Sequence, residues 1–354
     1  MKRSRAQNGE GSSSVDLVSL ADYVEQFSSK QVVLLGDFVA DEFRSGEISR
    51  VSREAPVLIL RHRETQLVPG GGANAANNLA ALGAWVIPIT AVGMDSAGDA
   101  LITQFREKRV DTSGIVRVKG WTTPTKTRFL AGWAHTVGQQ VLRVDYEPGA
   151  TLPDAARTKI EKLVRATTRG ADAIAVSDYG FGVATPELVR DSTAKAKRKQ
   201  IPVTLDARYQ LTAYAKTGVT AATPNEAELE AQHHTSIGQN VEELARCGRE
   251  TLAAMKLSAL LVTRGRDGMA LFDDEGRMTR ISVHGSKQAV DVTGAGDTVL
   301  AAFTLALASG APPLEAAHIA NIAGGLVVMK RGTATVTRAE LLETIRREAA
   351  GAGA

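Results

Sequence analysis

The 354-residue chain has a single cysteine, Cys247, so no internal disulfide can form, and no Cys/His cluster has zinc-ligand spacing. A chain of this length buries enough core to stand without such staples. The lone thiol suits a reducing compartment, and the chain reads as cytoplasmic. Long apolar runs are missing too. The longest strongly apolar stretch, 299–308, falls far short of the roughly 20 residues that cross a bilayer, so no membrane role is expected. Excess charge of one sign is also lacking. Lys plus Arg number 42 and Asp plus Glu 39, a net charge of +3. That is too little to imply a nucleic-acid partner, although it suits the handling of small anions. No G-x-x-x-x-G-K-[ST] occurs, which excludes a P-loop enzyme, and no G-x-G-x-x-G follows the first strand, which disfavours a dinucleotide fold. The opening MKRSRAQNGEGSSS is basic and then polar, with no apolar stretch behind the basic residues, so it is not a secretory signal. Residues 1–14 read as a disordered leader.

What is present is alternation. Leu17, Leu20, Val24 and Phe27 have helical spacing. Short apolar runs at 31–37, 85–93, 171–180, 201–207 and 259–265 read as buried strands. Helical stretches lie between them, one opened by Thr185 as N-cap and Pro186 in the first turn. This order predicts βαβ units and a mainly parallel sheet. Two segments rich in β-formers, 44–70 and 117–147, break the pattern and look like strands that leave the sheet to form a small flap. Residues 267–283 read as an antiparallel hairpin, and the last hundred residues turn helical.

Two glycine motifs carry the chemistry. In VPGGGANAANNLAALG (68–83), three glycines lead into a small-residue helix. Gly71 and Gly72 let the backbone pass close to a ligand, and the amides of Asn74 and Asn77 suit sugar hydroxyls; a tight turn with a closely packed helix explains the same residues. In DVTGAGDTVLAAF (291–303), Gly294, Ala295 and Gly296 open a long apolar helix. Backbone N–H groups there form an anion cradle at the positive end of the helix dipole. Asp297, in the first turn, is placed to take a proton from a hydroxyl attacking a phosphoryl group held in that cradle. It would also serve simply as a helix-stabilising acid.

These two motifs, in this order, resemble the paired signatures of the PfkB (ribokinase-like) carbohydrate kinases. The resemblance runs from about Gln31 to Glu343. It implies a three-layer α/β/α domain over 15–349 with a mostly parallel central sheet, a small β-sheet lid near 42–68 and 117–147, and a frayed tail at 350–354. It implies ATP as co-substrate, Mg²⁺, and a homodimer paired through the lid. Asp297 becomes the catalytic base and Gly294, Ala295 and Gly296 the anion hole. Asp41 and Asn74 bind sugar hydroxyls, with Asp37 a weaker candidate that serves equally to satisfy backbone donors. Asn225 and Glu228, in Thr223-Pro224-Asn225-Glu226-Ala227-Glu228, match the N-x-x-E motif that organises Mg²⁺ and phosphates, Glu228 through water. Thr263, Gly265, Asn321 and Gly325 fall where the nucleotide lies. Asp291 and Thr293 match a monovalent-cation site of some relatives, which would take K⁺.

Within the family, GDFVADEF, SRVSREAPV, TTPTKTR, VLRVDYE, LSALLVTRGRDGM and NIAGGLVVMKRGTATVTRAEL are similar to the kinase domain of bacterial heptose-7-phosphate kinases. Those act on C1 of D-glycero-β-D-manno-heptose 7-phosphate, on the route to ADP-heptose and lipopolysaccharide. A nucleotidyltransferase is often fused to them. No H-x-G-H-type segment follows here, so the chain reads as a stand-alone kinase. A substrate that already bears a phosphate needs a second anion site. Arg50, Arg53, Lys126, Arg128 and Arg143 fall in the flap, and Lys126 and Arg128, two apart on one strand, are the favoured candidates, although basic residues on exposed strands also serve as plain edge charges. LDARYQL (205–211) departs from the family, which has Lys after Asp-Pro, and leaves the role of Arg208 open. Rival readings are a kinase for another sugar or a nucleoside, and a kinase-like binding protein without chemistry.

Overall fold

The computed structural model describes residues 16–133 and 138–352, so the expected leader 1–14 lies outside the described residues. In chain order the strands are β1 Gln31–Gly36, β2 Phe38–Val51, β3 Leu58–Gly71, β4 Trp85–Gly93, β5 Ile115–Val118, β6 Thr125–Gly132, β7 Gln139–Tyr146, β8 Ala173–Asp178, β9 Val203–Ala207, β10 Ala221–Ala222, β11 Ala259–Thr263, β12 Met269–Asp273 and β13 Met278–Ile281. Nine of them form one sheet in the order β13-β12-β11-β10-β9-β8-β1-β4-β5. It is parallel from β5 to β11, and the β12–β13 hairpin adds two antiparallel strands at one edge.

Side chains alternate between the two faces of each central strand. Val32 and Leu34 of β1 enter one core with Leu79, Leu300 and Phe303. Val33 and Leu35 enter the other with Ile160, Leu244 and Phe272. Both faces are therefore covered by helices, which is why these strands are continuous apolar runs. Thr185 accepts a hydrogen bond from the Leu188 N–H at 3.3 Å, and the helix Pro186–Lys199 begins as its sequence predicts. The terminal helix Arg338–Ala352 stays helical into the stretch expected to fray.

The remaining four strands form the lid, in the order β3-β2-β6-β7. Its bounds differ from the expected ones. The lid strand β2 starts at Phe38, with only Asp37 between it and the end of β1, and β3 runs to Gly71, directly before the helix Gly72–Ala81. Arg117 and Val118 belong instead to β5, at the edge of the main sheet. The lid is thus rooted directly in the central strand β1 and in the glycine-led helix.

Candidate active site

Functional groups collect at the carboxyl ends of the parallel strands, where open α/β sheets bind ligands. Asp37 follows β1, Tyr179 follows β8, Arg208 follows β9 and Asn225 lies just past β10. The helix Ala295–Ala308 starts among them. Its N-cap, Gly294, has φ 76°, and a Cβ there would overlap the Asn74 amide, so the close approach of the two glycine motifs requires glycine at this position.

Asp297 is 3% exposed. Asn74 Nδ2 donates to its Oδ2 at 2.8 Å, and the Tyr179 hydroxyl donates to its Oδ1 at 3.1 Å. Asn78 in turn donates to Asn74 Oδ1 at 3.1 Å and accepts from Thr298 Oγ1 at 2.9 Å, which locks the two helices together. Burial pushes the Asp297 carboxyl up to about 7; the Asn74 and Tyr179 donors oppose that rise, and the charge of Asp41 adds to it. A buried carboxylate held by two donors and poised near neutrality is suited to accept a proton. The anion cradle differs from expectation in one member. The Ala295 N–H donates to Val292 O at 3.2 Å, so Gly294 and Gly296 supply the open N–H groups and Ala295 shapes the turn. The Asn74 amide nitrogen, expected at a sugar hydroxyl, here donates to Asp297 Oδ2 and to Gly294 O.

On the lid side, Asp41 is 5% exposed and paired with Arg128, while Lys126 pairs with Asp145 at 3.1 Å. Lys126 and Arg128 share a face with Asp41, as their spacing predicts; the Asp291 carboxyl is held down, against burial, first by hydrogen bonds from Thr293 and Gly332 and least by the charge of Arg128. Both cations are already matched by carboxylates. Gly72 donates its N–H to Asp37 O at 2.9 Å and packs on that backbone, and Gly71 (φ 54°) abuts Val39; both close the joint between lid and helix. The Asp37 side chain accepts N–H bonds from Tyr179, Phe181 and Val183, so it satisfies backbone donors and clamps the turn that carries Tyr179. Burial, and next the charge of Asp178, push Asp37 up to about 7.

A cleft of about 1190 Å³ runs from Asp297, Gly294 and Gly296 past Tyr179, Glu228 and Thr263. Asn225 and Glu228 form a capping box: Asn225 Oδ1 accepts the Glu228 N–H and Glu228 Oε2 accepts the Asn225 N–H, both at 2.9 Å. A β-bridge joins Asn225 to Thr263. Three residues expected at the nucleotide do not line this cleft. Gly265 opens the turn after β11, Asn321 donates to Ser282 O at 2.8 Å, and Gly325 gives way to the backbone of His284, where a Cβ would clash. Asp291 accepts N–H groups from Thr293 and Gly332, both at 2.9 Å, and so ties the 332 turn to the segment leading into the helix Ala295–Ala308.

Sequence reasoning missed Tyr179 and Asp206. Asp206 lines the cleft, and its carboxyl is pushed well up by burial, then by the charges of Glu228, Asp297 and Asp178. Both residues lie at the carboxyl end of a parallel strand, which is the signal that would have found them. Among the described residues no cluster of three or more His, Cys, Asp and Glu is arranged as a metal cage. The hard oxygen donors of Glu228 and Asp206 fit Mg²⁺, which is commonly held by one or two carboxylates together with substrate phosphates and water. Among the described residues no helix is long and apolar enough to cross a membrane.

Known proteins are similar to this chain. The profile of the pfkB family carbohydrate kinases matches residues 30–340. The chain belongs to that family of sugar kinases. The bifunctional protein HldE of Mesorhizobium japonicum is 37% identical over 92% of this chain and 64% of its own length. HldE of Geobacter metallireducens is 39% identical over 88% of this chain and 62% of its own. The chain thus spans somewhat under two thirds of these relatives, 64% and 62%. Its fold is ribokinase-like. Arabidopsis thaliana ribokinase complexed with ribose and ATP superposes with a TM-score of 0.68 at 20% identity, covering 90% of this chain and 99% of that one. Escherichia coli phosphofructokinase-2 in complex with potassium gives a TM-score of 0.72 at 20% identity, covering 91% and 99%.

Proposed function

We propose that the protein transfers the γ-phosphoryl group of ATP to C1 of D-glycero-β-D-manno-heptose 7-phosphate, giving the 1,7-bisphosphate, a precursor of ADP-heptose and lipopolysaccharide. The observation that carries the chemistry is Asp297, held by Asn74 and Tyr179 beside the Gly294/Gly296 cradle. The identity to HldE kinases supports the heptose substrate.

In this reading Asp41 orients the sugar from the lid, and its hydroxyl faces Asp297 Oδ. The carboxylate takes the hydroxyl proton as the oxygen attacks phosphorus. The N–H groups of Gly294 and Gly296, at the positive end of the helix, meet the charge on the transferring group. Glu228 Oε2 is occupied by its own helix cap, which leaves Oε1 for a water on Mg²⁺. When bound, that ion neutralises phosphate charge. The lid excludes water and limits hydrolysis of ATP. Its exposed apolar residues, Val141, Leu142 and Tyr146 among them, support a homodimer through the lid. The monovalent cation at Asp291 and Thr293 rests on the family resemblance alone. The ion pairs that already engage Lys126 and Arg128 favour one second reading, a family kinase for an unphosphorylated sugar.

The test is a panel of sugars and sugar phosphates with Mg·ATP, run beside Asp297→Asn. The reading expects heptose 7-phosphate to be the best substrate and the variant to lose about 10²–10⁴-fold in kcat, with ATP affinity little changed. Preference for an unphosphorylated sugar would leave the broader kinase reading standing and remove the heptose phosphate. Near-normal turnover by the variant would remove Asp297 as the base.

A further inference from the structure

Arg208 sits directly after β9 and lines the cleft between Asp297 and Glu228. Its guanidinium carbon lies 6.0 Å from the centre of the Tyr179 ring and 5.8 Å from that of Tyr209. Its backbone N–H is fixed to Asp178 O at 3.0 Å. Among the described residues its side chain has no hydrogen-bonded carboxylate or carbonyl partner. The other nearby arginines are engaged: Arg128 with Asp41, and Arg264 with Glu226 and Gly238 O. Three carboxylates, Asp206, Glu228 and Asp297, line the same space. The charge of Arg208 opposes, more weakly than burial, the upward push on Asp206 and Glu228.

This creates an electrostatic problem that the Gly294/Gly296 cradle does not solve alone. A terminal phosphoryl group bound within reach of Asp297 brings more negative charge beside a carboxylate. An arginine within cation–π range of two rings offers a planar fork suited to phosphate oxygens. The two rings differ in setting: Tyr179 is half-buried, and Tyr209 is 60% exposed. Tyr179 rides on the turn clamped by Asp37, and Tyr209 packs over Gly180, where a Cβ would come within 3.2 Å of its ring.

We propose that Arg208 contacts the γ-phosphoryl oxygens of ATP and carries their charge during transfer, with Tyr179 and Tyr209 as its positioning residues. The proposal rests on the kinase reading. In the step it serves, the bond between the sugar oxygen and the γ-phosphorus forms. The bond from that phosphorus to the β,γ-bridging oxygen breaks, ADP leaves with the electron pair, and the hydroxyl proton passes to Asp297. Arg208 keeps its protons throughout.

The experiment compares Arg208→Met, Arg208→Lys and Tyr209→Leu with wild type. Calorimetry with Mg·ATP and Mg·ADP needs no sugar. A charged hydrogen bond to the γ-phosphate corresponds to at least about a tenfold weaker Kd for ATP in Arg208→Met, with ADP within about twofold of wild type. Arg208→Lys is expected to recover part of that ATP preference, and Tyr209→Leu to lose part of it with the arginine still present. On whichever sugar wild type phosphorylates best, Arg208→Met is expected to lose about 10²-fold or more in kcat, with KM for the sugar within about threefold. Equal weakening of ATP and ADP, no change in either, or a loss confined to the sugar KM would each overturn the proposal. If wild type phosphorylates no sugar offered, the kinase substrate reading fails, and the ATP-to-ADP ratio still decides the role of Arg208.

Discussion

Tyr179→Phe removes one donor from the base and leaves the ring that faces Arg208. The Tyr179 hydroxyl is buried and its own pKa is pushed well up, first by burial and then by the charge of Asp297, so it remains a neutral donor across the working pH range. In wild type, Asp297 at about 7 is the balance of burial against the Asn74 and Tyr179 hydrogen bonds. A hydrogen bond to a charged group is worth about 1.5–3 kcal/mol, and one pKa unit is about 1.36 kcal/mol. The Tyr179 bond is long at 3.1 Å, so the weak end of that range applies. Its loss raises Asp297 by about one unit. The base works only when ionised, so the acid limb of kcat/KM, near 7 in wild type, moves upward by about one pH unit in the variant. Near pH 6 the variant is then about tenfold slower, and well above the limb, near pH 9, the two enzymes converge to within about twofold. A coupled assay of ADP release across that range reads the shift directly. A limb that stays at its wild-type position, or an equal loss at every pH, would refute the reasoning.

Glu228→Gln preserves the capping box, since Gln serves at that position. It is expected to raise the Mg²⁺ concentration for half-maximal rate about tenfold with little change in Tm, measured by Mg²⁺ titration at saturating sugar. Gly70→Ala would drive a methyl into the Asp41 carboxylate. The KM for the sugar should rise at least about tenfold while ATP binding by calorimetry is unchanged, if Asp41 orients the sugar. Lys126→Met with Arg128→Met should raise the KM for the phosphorylated sugar at least about tenfold and leave the KM for ATP alone. An unchanged KM would place the second phosphate elsewhere.

Most strands of the central sheet were legible because each is a local apolar run, whereas β5 reads partly as flap and the two-residue β10 does not read as a strand. The start of the helix Ala295–Ala308 was legible because its glycines and Asp297 are adjacent. What escaped depends on long-range partners. Asn74 reads as a free amide until it is seen on Asp297, 223 positions away. Tyr179 carries no local mark of its contact with the base 118 positions further on. Arg128 reads as a cation open to a phosphate, yet its partner Asp41 lies 87 residues back, on the neighbouring strand. The true start of the lid was hidden for another reason. A strand that passes from one sheet into another through a single residue, Asp37, contains no turn signal.

That single-residue passage makes the lid a lever rather than a flap on loose hinges. β2 has 14 residues, an arm of about 46 Å at the usual rise per residue if straight. A rotation of about 10° at its root sweeps the tip through about 8 Å for an arm of that rise. The fulcrum is Asp37, and the same residue grips the turn bearing Tyr179 while its carbonyl holds Gly72. In the kinase reading, a sugar bound under the lid would therefore load the turn that carries Tyr179 through Asp37, with no loop between.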